Sequence, residues 1–163
     1  MNNLLTPNYP NGRNLFQGKN MLVTAAAGSG IGFSTARRFL EEGANIFISD
    51  VHEARLEQAI QTLQDLKLGE VDGCICNVTN DQEIDSMFKQ ALTRFSHLDG
   101  VINNAGLGGE SSLESMTNEA WSSVIDVTLN GAMKIMRAAI PVLKDTQGVI
   151  VNNASVLGWR AQA

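Results

Sequence analysis

The chain has 163 residues, enough for about one domain, and its 44% hydrophobic and 18% charged side chains exclude a disordered polymer. Twelve basic against seventeen acidic side chains leave a net charge of -5, which argues against a nucleic-acid polyanion or an anionic membrane surface as the main partner. No apolar run approaches the ~20 residues that span a bilayer.

Residues 1–18 are rich in Asn, carry Pro7 and Pro10, and lack a basic start followed by an apolar core, so no secretory signal is expected. Residues 1–15 read as a polar extension ahead of a domain over 16–163. The aliphatic run 21–24 predicts a first strand, a glycine loop follows over 24–32, and a helix is predicted over 33–42. A second strand is predicted over 45–49. Leu56, Ala59, Ile60, Leu63 and Leu66 then recur at helical spacing. A third strand is predicted over 71–76, followed by a helical stripe of Ile84, Met87, Phe88, Ala91, Leu92 and Phe95, and a fourth strand over 100–103. Residues 117–144 predict one long helix, capped at Thr117 and ended or bent by Pro141. A fifth strand is predicted over 148–152.

The strand runs are continuous in apolarity where half-exposed strands would alternate, which suits a parallel sheet covered on both faces. Strand–helix order repeated along the chain predicts right-handed βαβ units and an α/β, doubly wound parallel sheet of the Rossmann kind. Cys74 and Cys76, one residue apart, match no disulfide framework or zinc ligand set. They read as packed strand residues of a reduced, cytoplasmic protein, with no metal site expected; His52 and His97 read as surface loop residues, and Trp121 as packing the long helix.

The loop places Ala26, Gly28, Ser29, Gly30, Ile31 and Gly32 between the first strand and its helix. Small residues there let a pyrophosphate approach the backbone, its charge met by N–H groups at the helix N-terminus. A plain tight turn would use the same residues. The second strand, however, runs out at Asp50, where a carboxylate can accept hydrogen bonds from adenosine ribose hydroxyls. Strand, loop, helix, strand and acid in this order predict dinucleotide binding. Asp50 would repel a 2′-phosphate and Ser29 offers no cation to attract one, so NAD is favoured over NADP. His52, Arg37 and Arg38 keep the alternative open.

Asn103-Asn104-Ala105-Gly106, Gly30-Ile31-Gly32 and Ser155-Val156-Leu157-Gly158 together resemble the short-chain dehydrogenase/reductase family, over a span from about Phe16 to the last residue. The loop departs from the family pattern in having Ala25 for its first glycine and one extra residue. The longer loop, with residues 152–162, also resembles a subgroup associated with bacterial breakdown of steroid C/D rings as coenzyme A thioesters; 3-oxoacyl reductases are similar too. The resemblance implies a small-molecule substrate interconverted between secondary alcohol and ketone. It also implies cofactor contact from Asn77 and Val78, where relatives often carry an aspartate beside adenine, and from Asn104, Ala105, Gly106 and Thr128. A strand-end cap is the plainer reading of Asn77, and pairing of backbone groups the plainer reading of Asn103 and Asn104.

In the family a serine holds the substrate oxygen, a role that falls to Ser155 as the catalytic residue, while a tyrosine moves the proton and a nearby lysine lowers its pKa. The tyrosine would lie beyond Ala163, and Tyr9 in the leader is the single tyrosine of the sequence. Thr128 stands where many relatives place an asparagine, and Asn130 would face away. Trp159 and Arg160 are either cleft-lining or ordinary loop residues. The expectation is a sheet of order 3-2-1-4-5 cut short after its fifth strand, with an apolar edge and a long helix that invite homo-oligomers. The 163 residues are expected to bind NAD without turnover. The alternative is a non-catalytic nucleotide-binding or interaction module.

Overall fold

The computed structural model describes residues 8–108 and 111–159. Five parallel strands, β1 (Asn20–Thr24), β2 (Asn45–Asp50), β3 (Val71–Ile75), β4 (Gly100–Asn103) and β5 (Val149–Asn152), pair in the order β3-β2-β1-β4-β5. Helices α1 (Ile31–Glu41), α2 (Glu53–Gln64), α3 (Asp81–Phe95), α4 (Asn118–Ile125) and α5 (Gly131–Leu143) form the layers on either face. The predicted doubly wound sheet is therefore present in its expected order.

Successive residues of one strand feed opposite layers. Leu22, Phe47 and Val101 pack with Ile84, Met87, Phe88 and Ile135 of α3 and α5. Met21, Val23, Ile46, Ile48 and Ile102 pack with Ala36, Leu40, Leu56 and Leu63 of α1 and α2. Burial on both faces explains why the strand runs do not alternate. Each fully buried large aliphatic contributes ~1.5–3 kcal/mol. The register pairs Thr24 with Ser49, Asp50 with Ile75 and Asn103 with Asn152, so the C-terminal ends of the strands meet along one rim.

Two helix predictions need correction. Helix α1 begins at Ile31, two residues ahead of the predicted start, because Gly30 is extended (φ -83, ψ -168) and helical geometry begins immediately after it. Ile31 is 67% exposed and so lies outside the apolar period that marks the rest of the helix. The long helix is not one α-helix. A π-helical turn, Asp126–Asn130, separates α4 from α5. Gly131, just past it, leaves no room for a side chain: a Cβ would stand 2.7 Å from Val78 Cγ2. Thr117 caps α4 as expected, its Oγ1 accepting from Ala120 N at 3.2 Å. Pro141 sits inside α5, which continues to Leu143. Trp121 is 54% exposed, contrary to the packing expected of it.

The leader docks on the far end of α1. Phe16 N donates to Glu42 O at 2.9 Å, while the buried Glu42 carboxylate accepts from Arg13 N at 2.7 Å and Leu15 N at 3.2 Å and pairs with Arg38. Tyr9 donates to Glu41 at 2.7 Å beneath Arg37 and Arg38. At the other side of the molecule β5 forms the sheet edge among the described residues, with Val149 and Val151 exposed.

Candidate active site

The first loop leaves β1 at Thr24 and turns at Ala25, which holds φ +51, a left-handed conformation unusual for a residue with a Cβ. Gly28 holds φ +96. Gly32 is fixed by contact instead: a Cβ there would lie 2.4 Å from Ala25 O and 2.6 Å from Asn104 Nδ2. Around Gly28, Gly30 and Gly106 the space a Cβ would fill is open. The cradle therefore has bare backbone facing outward, in front of the α1 N-terminus, which suits a diphosphate. Ser29 and Ile31 are exposed on the same loop. Ala26 is fully buried and its N–H donates to Ser49 O at 3.0 Å, so it spaces the cradle from beneath and has no donor to offer a ligand.

Asp50 ends β2 beside this loop. Its Oδ2 accepts from Ala27 N and its Oδ1 from His52 N, each at 3.1 Å, which pins the carboxylate and leaves each oxygen a further lone pair. Arg37 and Arg38 are held by carboxylates of their own helix. Arg37 pairs with Glu41, and Arg38 with Glu41, Glu42 and the Pro10 and Asn11 carbonyls, all toward the C-terminal end of α1. That end is ~15 Å along the helix from the loop, and Tyr9 shares it. Arg38 still borders the groove that Ser29, Gly30 and Ile31 line on the α1 side, and Arg55, which the sequence did not mark, borders the loop on the α2 side. A groove of about 370 Å³ runs from Gly28 and Ser29 to Arg55, Gln58 and Thr62 on α2.

Four asparagines at the ends of β4 and β5 knit the other half of the rim. Thr24 Oγ1 accepts from Asn104 N at 2.9 Å and Ala105 N at 3.1 Å, and Asn104 Nδ2 donates to Thr24 O and Ala25 O, each at 3.1 Å. Asn103 Nδ2 donates to Ala132 O at 3.1 Å and Asn152 Oδ1 at 3.0 Å. Asn153 Nδ2 donates to Asn104 Oδ1 at 2.8 Å. The plainer reading, pairing of backbone groups, thus describes the Asn103 and Asn104 side chains, while Gly106 remains on the open side. Thr24, Asn152 and Asn153 were not singled out by the sequence reading. The only signal available was the repeat of Asn-Asn at the ends of two neighbouring strands.

Thr128 spends its hydroxyl on the loop after β4: Oγ1 accepts from Leu107 N at 3.1 Å and donates to Leu107 O at 3.2 Å. It clamps that loop to the π-turn and has no hydrogen left for a water relay. Asn130 donates to Asp126 Oδ1 at 2.8 Å, away from the rim. Asn77 forms a strand-end turn, its Oδ1 accepting from Thr79 N and Oγ1 at 3.0 Å. Val78 is only 4% exposed and packs into the core against Gly131, which leaves its backbone as the part that could meet a cofactor. Ser155 sits in the turn that follows β5, its carbonyl accepting from Gly158 N at 3.0 Å, and Trp159 is exposed. Arg160 lies outside the described residues.

Burial pushes the Cys74 thiol, on β3, up to about 11 and the Cys76 thiol, one residue past its end, up to about 12. No group of three or more His, Cys, Asp or Glu among the described residues could hold a metal ion.

A parallel α/β sheet with a glycine cradle and an acid at the end of its second strand defines a dinucleotide-binding domain of the Rossmann class. The family described as short chain dehydrogenase matches residues 19–163. A Mycobacterium tuberculosis protein named (5R,7aS)-5-hydroxy-7a-methyl-1-oxo-2,3,5,6,7,7a-hexahydro-1H-indene-carboxyl-CoA reductase is 46% identical over 99% of this chain and 63% of its own length. A Thermotoga maritima 3-oxoacyl-(acyl-carrier-protein) reductase is 34% identical over 87% of this chain and 57% of its own. Among solved structures, a short chain dehydrogenase from Mycobacterium smegmatis superposes with a TM-score of 0.92 at 49% identity, covering 96% of this chain and 66% of that one. A Burkholderia phymatum relative solved in complex with NAD has a TM-score of 0.85 at 30% identity, covering 90% and 52% of the two chains. An actinorhodin polyketide ketoreductase solved with NADPH has 0.83 at 29%, covering 89% and 56%. The chain belongs to the short-chain dehydrogenase family, and it spans about three-fifths of the length of the curated relatives it matches.

Proposed function

We propose that this chain is the cofactor-binding part of an NAD-dependent oxidoreductase acting on a secondary alcohol or ketone. The observation that carries this reading is the open glycine cradle at the α1 N-terminus with the pinned Asp50 carboxylate beside it. Bound nicotinamide would supply hydride transfer. Gly30 and Ile31 would meet the diphosphate with backbone N–H groups. Asp50 would accept from the ribose hydroxyls, and Ala105 and Gly106 would line the ring end with small surfaces. Ser155 would hold the substrate oxygen in line by donating to it.

NAD is favoured over NADP because a 2′-phosphate would meet the Asp50 charge. Arg55 and Arg38, on the two grooves that the loop borders, are the cations that would oppose this preference. Likeness to the mycobacterial thioester reductase and to 3-oxoacyl reductases supports a thioester-linked substrate carrying a ring ketone or a 3-oxo group. The protonated Cys74 and Cys76 fit a reduced cytoplasmic setting. Exposed Trp121, Leu129, Met133 and Ile140 on the α4–α5 side suit association with a second copy.

Tyr9 is the single tyrosine and docks at the far end of α1, so the 163-residue polypeptide by itself should bind nucleotide without oxidising alcohols.

Titration of the chain with NADH and NADPH by nicotinamide fluorescence tests the cofactor reading. NADH should saturate, NADPH should bind more weakly, and Asp50→Asn should weaken NADH by roughly ten- to hundredfold, since hydrogen bonds to a charged group contribute ~1.5–3 kcal/mol. An unchanged affinity in Asp50→Asn, or no saturation by either nucleotide, would defeat it. Turnover of a secondary alcohol by these 163 residues would overturn the account of the proton donor.

A further inference from the structure

We infer that Asn153 is a positioning residue that ties the Ser155 turn to the glycine loop through Asn104, so that filling the cradle orders the serine. The inference rests on the cofactor reading above. The Asn104 amide is read without ambiguity, because its Nδ2 sends one hydrogen to Thr24 O and one to Ala25 O. A flipped amide would set its oxygen against two carbonyls. Asn104 Oδ1 therefore faces β5, and Asn153 Nδ2 donates to it at 2.8 Å.

Each end of this link is fixed. Asn153 N donates to Asn103 O at 2.9 Å, which anchors the Asn153 backbone two residues before Ser155. At the other end, Ala25 O belongs to the residue held at φ +51, and a Cβ on Gly32 of α1 would meet both Ala25 O at 2.4 Å and Asn104 Nδ2 at 2.6 Å. Whatever a diphosphate seated in the cradle does to the Ala25 carbonyl is passed to the Asn104 amide, and the Asn104 amide holds Asn153. Asn153 is exposed, so water competes for this bond in the open crevice. A nucleotide lying along the rim would exclude that water and strengthen the bond. Ser155 is placed by this route through the backbone two residues after Asn153.

Amide hydrogen exchange of residues 154–158 in the 163-residue chain, with and without saturating NADH, tests the link. NADH should slow exchange in the wild-type segment about fivefold or more. In Asn153→Leu, which keeps the bulk and loses the donor, the slowing should vanish while the NADH affinity stays within about threefold. Asn153→Asp, which sets a carboxylate against Asn104 Oδ1, should lose it too, whereas Asn153→Gln, with a donor on a longer arm, should recover part of it. A purely structural role would lower the melting temperature of the variants without removing the nucleotide dependence. NADH binding to the wild type with no slowing, or equal slowing in the Leu and Asp variants, would overturn the inference and leave the cofactor reading standing. Failure of the wild type to bind NADH would overturn both.

Discussion

Ala25 occupies a backbone conformation that costs an L-residue ~1–2 kcal/mol, at the position where the family pattern has glycine. Asn104 Nδ2 on its carbonyl and Thr24 Oγ1 beneath the β4 loop hold it there. Replacing it with glycine removes the strain and gives back part of the gain through the freer unfolded chain. Ala25→Gly should therefore stabilise the protein by about 1 kcal/mol, raising the melting temperature by roughly 2–4 °C. A lower melting temperature would mean that the Ala25 methyl group supports the loop by packing. The Asp50→Asn titration and the Asn153 exchange experiment belong to this scale as well. The identities of Asp50, Gly30 and Gly32 were legible in the sequence because they stand at fixed offsets from a strand. The role of Thr24 was not, because a hydroxyl that receives two N–H groups from another strand has no local signature.

Among the elements, α1 is held at both ends by different chemistry. Its N-terminus faces the cradle, and beyond its C-terminus Glu42 clips the leader in place. Hydrogen bonds from Arg13 N and Leu15 N, together with Arg38, hold the Glu42 carboxyl below the usual glutamate range. A folded pKa that is depressed contributes stability above the unfolded value of ~4.3 and loses it as pH falls through the lower folded value. Glu42→Gln should therefore melt below the wild type at neutral pH, and the gap should close on acidification below about pH 4. Thermal melts of both proteins from pH 7 to pH 3 check this. A gap that persists at pH 3 would place the effect in packing and not in the charge. The long helix shows a limit of periodic reading. Its start was legible, but the π-turn carries no periodic signal, and the close approach of Val78 to Gly131 just past it comes from the loop after β3.

At the scale of the whole molecule, β5 presents Val149 and Val151 at the sheet edge among the described residues. Unpaired N–H and C=O groups beside β-branched side chains are a template for another chain. The 163-residue polypeptide should sediment as a dimer or larger species in a concentration-dependent way, and Val151→Lys should shift it toward monomer. A wild type that stays monomeric at high concentration would rule out pairing through this edge.

The sequence by itself determined the class of fold and the glycine loop with its acid, while the strand order was what the family resemblance implied. Strand–loop–helix order and the doubly buried runs are local patterns, and right-handed crossovers leave few ways to assemble them. Only the tertiary structure decided which polar groups are spent and which remain for a ligand. It buried Val78, turned the Thr128 hydroxyl onto Leu107, carried Arg37, Arg38 and Tyr9 to the far end of α1, and joined Asn104 to Asn153. The reason is physical: periodicity reports which face of an element is dry, whereas a side-chain hydrogen bond is settled by what residues distant in the chain bring within about 3 Å of it.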